Sequence, residues 1–292
     1  MIQRATFVGE LVARSLLLGR PGVVTRAFER SAYLRTGSDF ILLLWGETRS
    51  PMTVNVPGRS VSSQLKPGEK CELSPSGIGL GGTRIDLRRS KAYRSSLLSG
   101  RAVALPDAEK LVKGVTMLRT LYDASPHGPT LPDDPSFRKF ARGALAAYAL
   151  EGAEAPGFDP FLPLVGRGGG FTPAGDDFSA GFTAAFNCIA RAGGTRPITV
   201  PRGLVLERTV PESAAILVYS SQGYVDESLE GLILDTLDGR SDFFGDLESL
   251  AARGHTSGMD ISLGVLLAEA CALDRLEGRS SLEKCTRVLF AG

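Results

Sequence analysis

Two adjacent carboxylates follow a run of glycines in the stretch GRGGGFTPAGDDFSAG, residues 166–181. Glycines ahead of a helix expose backbone N–H groups, and the positive end of the helix dipole lies there, so this stretch is suited to binding an anion. Arg167 could pair with a phosphate or carboxylate, and Asp176 and Asp177 could hold Mg²⁺. A flexible surface loop is the alternative, since no Lys-Ser/Thr follows the last glycine as in a Walker A sequence.

The octapeptide AGDDFSAG (174–181) has an ungapped counterpart in SGMDISLG (257–264), and each leads into an apolar, helix-like segment. Each also ends in a glycine, Gly181 or Gly264. A glycine inside a helix costs about 1 kcal/mol relative to alanine, so something should offset that cost. Either another helix crosses closely at the glycine or a ligand needs the space. In the simplest model the two helices cross closely at these glycines and their N-termini point into one shared pocket.

The start of the first helix decides what its carboxylates can reach. We expect Thr172 to be the N-cap and Pro173 the first helical residue, which places Asp176 and Asp177 beyond easy reach of the free amides. Adjacent helical positions diverge by about 100°, so at most one of the two should point inward. Asp177 is favoured as the group that faces a ligand or metal.

The second octapeptide belongs to GHTSGMD, residues 254–260. His255 lies on the loop before the helix, at the end of the expected pocket, where it could act as a hydrogen-bond donor or general acid; a structural histidine is the alternative. Ser257 and Asp260 have the spacing of a capping box, so the Asp260 carboxylate either caps its own helix or serves the site. His127 falls in a proline-rich loop and is less suited to such a role.

Helices of the C-terminal part must position these residues. Short segments rich in β-branched or alternating residues, such as FILLLW (40–45) and TRIDLRR (83–89), fill the N-terminal third and predict strands. From Pro106 onward the apolar residues recur at helical spacing. The sequence therefore predicts an α+β protein, with a β-rich N-terminal domain (1–105) followed by an all-helical domain (106–292).

Composition excludes several classes of function. The 292 residues are 43% hydrophobic and 22% charged with a net charge of +1, so no strong field favours nucleic acid or a membrane surface. No apolar stretch is long enough to span a bilayer, and the four scattered cysteines favour free thiols, so we expect a cytoplasmic protein. GxSxG and HExxH motifs and a Cys-His pairing are absent, so covalent acyl-enzyme and zinc-protease chemistry have no support. A site of helix N-termini, Asp, Arg and His is suited to a small anion and could position it for group transfer without a covalent enzyme intermediate.

The stretch LVGRGGGFTPAGDDFSAG, the segment ERTVPESAAIL (207–217) and GHTSGMD together resemble the AllH-like family over residues 164–264. That family is associated with a subunit of oxamate carbamoyltransferase in anaerobic allantoin degradation, a route of purine catabolism. The resemblance implies a reaction of carbamoyl phosphate with oxamate that gives oxalurate and phosphate. It also implies small anionic substrates and other subunits of a hetero-oligomeric complex as partners.

Carried over by position, the motif residues of this family are Gly166, Gly168, Gly170, Thr172, Pro173, Gly175, Asp176, Asp177, Thr209, Ser213, His255, Thr256, Ser257, Gly258 and Asp260. Three positions depart from the family pattern: Phe171 replaces a leucine, Ala174 a serine and Val210 a threonine. The last two changes remove hydroxyls, so a hydrogen bond to substrate would be absent or altered.

Motifs and resemblance together give a set of expected roles. Catalytic roles are expected for His255 and Asp177, with Asp176 and Asp177 as candidate Mg²⁺ ligands; no other cofactor is expected. Substrate or phosphate binding is expected from Arg167, Gly168, Gly169, Gly170, Thr172, Ser213, Thr256, Ser257 and Gly258. Two alternatives stay open: a non-catalytic scaffold or regulatory subunit, and a kinase-like enzyme that uses a Mg²⁺-bound nucleotide.

Overall fold

The structure is a computed structural model that describes residues 1–58, 60–95, 97, 104, 106–126, 130–150, 155–238, 242–278 and 280–291. The chain divides into two compact units, Met1–Ser96 and Leu97–Gly292. Strands fill the first unit and helices the second, so the predicted α+β class is confirmed. His127 lies outside the described residues.

The first unit contains ten strands, one α-helix and a short 3₁₀ turn (Ser62–Gln64) among its described residues. The elements are β1 (Ile2–Arg4), β2 (Phe7–Gly9), α1 (Glu10–Leu17), β3 (Gly22–Phe28), β4 (Ser31–Thr36), β5 (Asp39–Leu44), β6 (Thr53–Asn55), β7 (Lys70–Ser74), β8 (Gly77–Leu80), β9 (Thr83–Asp86) and β10 (Lys91–Tyr93).

All ten strands belong to one sheet, in the order β1-β9-β8-β7-β3-β4-β5-β6-β2-β10. Only Ala5 and Thr6 separate β1 from β2, although these strands take the first and ninth places in that order. The sheet must therefore curl until its two ends approach each other. The Ala5 amide donates to the Asp86 carbonyl at 3.0 Å and the Thr6 amide to the Asn55 carbonyl at 2.9 Å, which connects the two ends.

The core of the first unit lies on one face of the curled sheet. In β4 the side chains of Ala32, Leu34 and Thr36 are buried while the residues between them are not, which is the alternation of a strand with one covered face. Buried residues of α1, Val12 and Leu16, belong to the same core cluster.

The second unit is helical throughout its described elements. These are α2 (Ala108–Asp123), α3 (Pro135–Ala149), α4 (Ala174–Ala192), α5 (Arg202–Leu206), α6 (Pro211–Gln222), α7 (Glu227–Asp238), α8 (Phe243–Ala251), α9 (Ser257–Glu277) and α10 (Ser281–Leu289), with 3₁₀ turns at Leu131–Asp133 and Asp159–Phe161. Among the described residues, no helix combines the length and apolar character needed to cross a membrane.

Helices α4 and α9 lie at the centre of this unit. Nearly every residue of each is buried, which is typical of a helix surrounded by others. A Cβ atom added to Gly181 would lie 2.1 Å from the Ile261 carbonyl oxygen, and one added to Gly264 would lie 2.1 Å from that of Phe178. The two helices thus cross with their backbones in contact at both glycines, and the close crossing expected from the octapeptides is confirmed.

An aromatic cluster packs α3 against α4. The rings of Phe137 and Phe178 meet edge to face with centroids 5.0 Å apart, and Phe140 and Phe178 meet in the same way at 5.9 Å. Aromatic pairs of this geometry stabilise packing beyond the area that they bury. Because α3 is fixed in this way, the residues that lead into it are held near the start of α4.

A methyl group added at the helix crossing should be strongly destabilising. We expect Gly181→Ala to lower the free energy of unfolding by about 3 kcal/mol or more, because its Cβ would meet a backbone carbonyl that no side-chain rotation can move. Urea denaturation followed by circular dichroism measures the change.

Gly143 in α3 is the matched control, because a Cβ there meets nothing within 4 Å. Gly143→Ala should raise the free energy of unfolding by up to about 1 kcal/mol, since alanine is the better helix former. Equal effects of the two substitutions would contradict the close crossing.

Candidate functional site

A cavity of about 810 Å³ lies in the helical unit where the starts of α3, α4 and α9 meet. Residues from three distant parts of the chain line it: Thr130, Leu131, Asp133, Asp134, Pro135, Gly168, Gly169, Gly170, Phe171, Thr172, Ala174, Gly254, His255, Thr256 and Ser257. The glycine-rich loop and the GHTSG segment therefore share one cavity, at the N-terminal ends of helices whose dipoles favour anions.

The start of α4 differs from the expectation. The helix begins at Ala174 with Pro173 as its N-cap, so the prediction of Thr172 as N-cap and Pro173 as first helical residue is wrong by one position. Pro173 has an extended backbone (ψ 141°), and its carbonyl accepts the amides of Asp176 and Asp177 at 2.9 and 3.1 Å. Both carboxylates therefore fall in the first turn, where the helix dipole favours negative charge.

Asp176 fastens the glycine-rich loop to the start of α6. Its Oδ1 accepts the Gly166 amide at 2.8 Å, and its Oδ2 accepts the hydroxyls of Thr209 and, at 2.7 Å, Ser213. Burial raises the pKa of Asp176, while these three hydrogen bonds oppose the rise. The residues that the family motif carries around Asp176 thus form one hydrogen-bonded cluster beneath the loop.

Asp177 is buried on another side of the same helix. Its Oδ2 accepts the Thr172 hydroxyl at 2.9 Å, and it also interacts by hydrogen bonding with Ser257. Burial raises the pKa of Asp177 well above its ordinary value, and the charge of Asp260 adds to that rise. The Thr172 and Ser257 hydroxyls are 3.2 Å apart, so Asp177 joins the starts of α4 and α9.

The expectation that at most one of the two adjacent carboxylates points inward is wrong. Asp176 is 1% exposed and Asp177 is 3% exposed. The glycine-rich loop and α6 cover Asp176, and the start of α9 covers Asp177. Both side chains are therefore buried, although they leave the helix in directions about 100° apart. Neither carboxylate is among the residues that line the cavity.

Asp260 is buried one turn into α9. The N-cap of that helix is Thr256 rather than Ser257, and the Asp260 Oδ1 accepts the hydroxyl of Tyr122 from α2 at 2.7 Å. Burial raises the pKa of Asp260 to about 7, and hydrogen bonding with Tyr122 and Thr256 limits the rise. Asp260 thus links α9 to α2 beneath the site, instead of forming a capping box with Ser257.

Three glycines of the loop are required by its backbone. Gly166, Gly168 and Gly170 have φ values of 79°, 98° and 99°, in the left-handed region that side chains disfavour. A Cβ on Gly166 would lie 2.1 Å from the Arg208 carbonyl oxygen. Gly169 differs, because it is exposed and a Cβ there meets nothing within 4 Å. Because Gly169 lines the cavity, a side chain there could be placed at the cavity wall without disturbing the fold.

Three residues expected to bind substrate do not line the cavity. The Ser213 hydroxyl is committed to Asp176, and a Cβ on Gly258 would lie 1.8 Å from the Leu250 carbonyl oxygen, which shows a packing role. The Arg167 Nε donates to the Pro163 carbonyl at 2.9 Å, outside the lining. The other expected binding residues, Gly168, Gly169, Gly170, Thr172, Thr256 and Ser257, line the cavity together with the exposed His255.

Part of the cavity wall comes from the segment Thr130–Pro135, for which the sequence predicted no role. Asp134 is the N-cap of α3, and its Oδ1 accepts the amides of Ser136 and Phe137 at 2.7 and 3.1 Å. The order Asp-Pro ahead of an apolar helix signals such a cap. Nothing in that local signal indicates that the cap faces the glycine-rich loop, which follows some thirty residues later.

The donor set does not fit the expected magnesium site. Both oxygens of Asp176 are used by hydrogen bonds within the protein, and both carboxylates lie behind the cavity. Magnesium favours six oxygen ligands, several of them waters, which requires solvent access. Among the described residues, no three or more His, Cys, Asp or Glu side chains are arranged to hold a metal ion.

Comparison with known families agrees with the resemblance read from the motifs. The model of the family described as oxamate carbamoyltransferase subunit AllH matches residues 164–269. The matched range runs from the glycine-rich loop through most of α9 and contains the expected site residues. No curated protein and no solved structure matches the chain.

The buried Asp260 should make stability depend on pH. Its carboxyl has a pKa near 3.8 when unfolded and about 7 when folded, so the folded state binds the proton more tightly and loses stability as pH rises from 4 through 7. Asp260→Asn keeps an acceptor for Tyr122 and removes this dependence. The curves of unfolding free energy for the two proteins should diverge by up to about 4 kcal/mol over that range.

Asp226→Asn is the matched control. Burial raises the pKa of Asp226, but the Arg253 guanidinium 2.7 Å away lowers it below its ordinary value. The Asp226 carboxylate therefore stabilises the fold above pH 4, and this contribution is lost as pH falls. The two substitutions should therefore change stability with opposite pH trends. Parallel curves for wild type and Asp260→Asn would contradict the assigned pKa.

Proposed function

We propose that the cavity binds the small anionic substrates of a carbamoyl transfer, and that the chain is one subunit of a larger enzyme of the oxamate carbamoyltransferase kind. One observation carries the proposal. The loop Gly168–Thr172 and the segment Gly254–Ser257 lie far apart in sequence, yet they line one cavity at the starts of α4 and α9. Both belong to the range that matches the family of that description.

The cavity offers the donors that a phosphate or carboxylate needs. Backbone N–H groups at helix starts and in glycine loops bind anions, and preorganised donors stabilise charge that develops during a transfer. In the proposed reaction the amide nitrogen of oxamate attacks the carbonyl carbon of carbamoyl phosphate, the C–O bond to phosphate breaks, and the nitrogen loses a proton. His255 would donate a hydrogen bond, or a proton, to the departing phosphate.

The buried carboxyls support this site from behind. Asp177 would act as a positioning residue, because it binds the Thr172 hydroxyl and interacts with Ser257, and both of these residues line the cavity. Asp176 would hold the glycine-rich loop in place through Gly166. Arg167 could reach a phosphate at the rim by releasing the Pro163 carbonyl.

The proposal is tested by ligand-dependent thermal unfolding of the purified chain. Phosphate, carbamoyl phosphate and oxamate should each raise the Tm, because a ligand at a hundred times its Kd adds about 2.7 kcal/mol of stability, equivalent to several degrees. ATP is added with and without Mg²⁺ as a comparison. His255→Ala should weaken the response to phosphate and carbamoyl phosphate.

A charge placed at Gly169 gives a sharper test. Gly169→Glu puts a carboxylate at the cavity and should abolish the shifts, whereas Gly169→Gln has nearly the same shape without charge and should retain most of each shift. The position is exposed and has room for a side chain, so both variants should fold. A shift with Mg²⁺-ATP alone would contradict the proposal, and the absence of every shift would favour a scaffold subunit.

A further inference from the structure

Asp134 differs from the other acidic group of the cavity wall. The neighbouring Asp133 is fully engaged: its Oδ2 accepts the Thr130 amide and hydroxyl at 3.1 and 2.8 Å, and its Oδ1 lies 3.5 Å from the Arg138 guanidinium. Asp134 uses only Oδ1, which accepts the first amides of α3. Its Oδ2 makes no hydrogen bond within the part of the chain that the structure describes.

The direction of that second oxygen is fixed. Because Oδ1 is held by two backbone amides, the Asp134 carboxylate cannot rotate freely, and Oδ2 is a preorganised acceptor on the cavity wall. On the loop, Arg167 forms an ion pair with Asp134, its Nη1 3.9 Å from Oδ2, which is too long for a hydrogen bond and leaves Oδ2 able to accept one. Asp134 is about one-quarter exposed, so a ligand can reach it.

The cavity therefore combines two opposite demands on a ligand. The loop Gly168–Gly170 and the helix starts favour an anionic group, whereas a carboxylate oxygen accepts only N–H or O–H donors and repels anions. A ligand that satisfies both carries a negative group at one end and a hydrogen-bond donor at the other. A simple dianion satisfies only the first demand.

We propose that Asp134 is a specificity-determining residue, which selects a small carboxylate bearing an amide or amine N–H by accepting that N–H at its Oδ2. The inference rests on the proposed function and adds the residue that recognises the N–H group of its acceptor substrate. Asp177, which the sequence favoured as the carboxylate that faces a ligand, lies behind the cavity, whereas Asp134 is part of its wall.

Three ligands of nearly identical shape test the proposal by titration calorimetry on the purified chain. Oxamate has an NH₂ group where pyruvate has CH₃ and where oxalate has a charged oxygen. Wild type should bind oxamate about tenfold or more tightly than pyruvate, because a hydrogen bond to a charged group is lost, and oxalate should also bind more weakly because it is repelled.

Asp134→Asn provides the variant test. The asparagine oxygen retains the cap of α3, since asparagine caps helices as well as aspartate does, and the amide nitrogen replaces Oδ2 by a donor. The preference of oxamate over pyruvate should fall to about twofold or less, and oxalate should gain affinity. Asp133→Asn removes the same charge one residue away and should keep the wild-type preference.

The outcomes separate this inference from the function on which it rests. Equal binding of oxamate and pyruvate by wild type, or an unchanged preference in Asp134→Asn, overturns the role of Asp134 and leaves the anion site standing. If none of the three carboxylates binds and phosphate does not bind either, both the role of Asp134 and the proposed anion site are overturned. If the variant is unstable, equal binding of oxamate and pyruvate by wild type still overturns the inference, because that comparison requires no substitution.

Discussion

Backbone contact between α4 and α9 is the constraint on which the helical unit depends. Where Gly181 and Gly264 meet the opposite helix, there is no room for even a methyl group. This contact brings two helix starts to the same place, so that the loop before each can line one cavity. The polar groups at those starts then face each other: Asp177 connects the two helices through the hydroxyls of Thr172 and Ser257, while Asp260 connects α9 to α2 through Tyr122.

Burying three carboxyls at one end of two helices is costly, and the local structure reduces that cost. Each of the three accepts hydrogen bonds from hydroxyls, and Asp176 also takes a loop amide. The positive end of a helix dipole further favours negative charge in the first turn. The raised pKa of Asp260, about 7, shows that the compensation is incomplete. The buried carboxyls therefore lower the stability of the fold, while their hydrogen bonds hold the elements behind the cavity together.

The sequence predicted the structure well where an unusual residue type recurs at helical spacing. Helix-interior glycines at matching places in two octapeptides predicted the crossing at Gly181 and Gly264, because few other reasons justify glycine there. The start of α4 was misplaced by one residue, since proline is compatible with both the N-cap and the first helical position. The place of Asp134 on the cavity wall could not be predicted from the sequence, because the approach of α3 to the loop is set by aromatic packing rather than by a local motif.

The curled sheet of the first unit bears on how this protein folds during synthesis. Within the part of the chain that the structure describes, strand β1 pairs with β9 alone, and β10 pairs with β2, so the first residues of the chain find their partners some eighty residues later. Pairing across such a separation requires closing a long loop, which slows folding. While the ribosome makes the intervening residues, Ile2–Arg4 remains an unpaired edge. The N-terminal unit can therefore complete its sheet only after its last strand has emerged, and until then its β-rich segments depend on local hairpins such as β3–β4–β5.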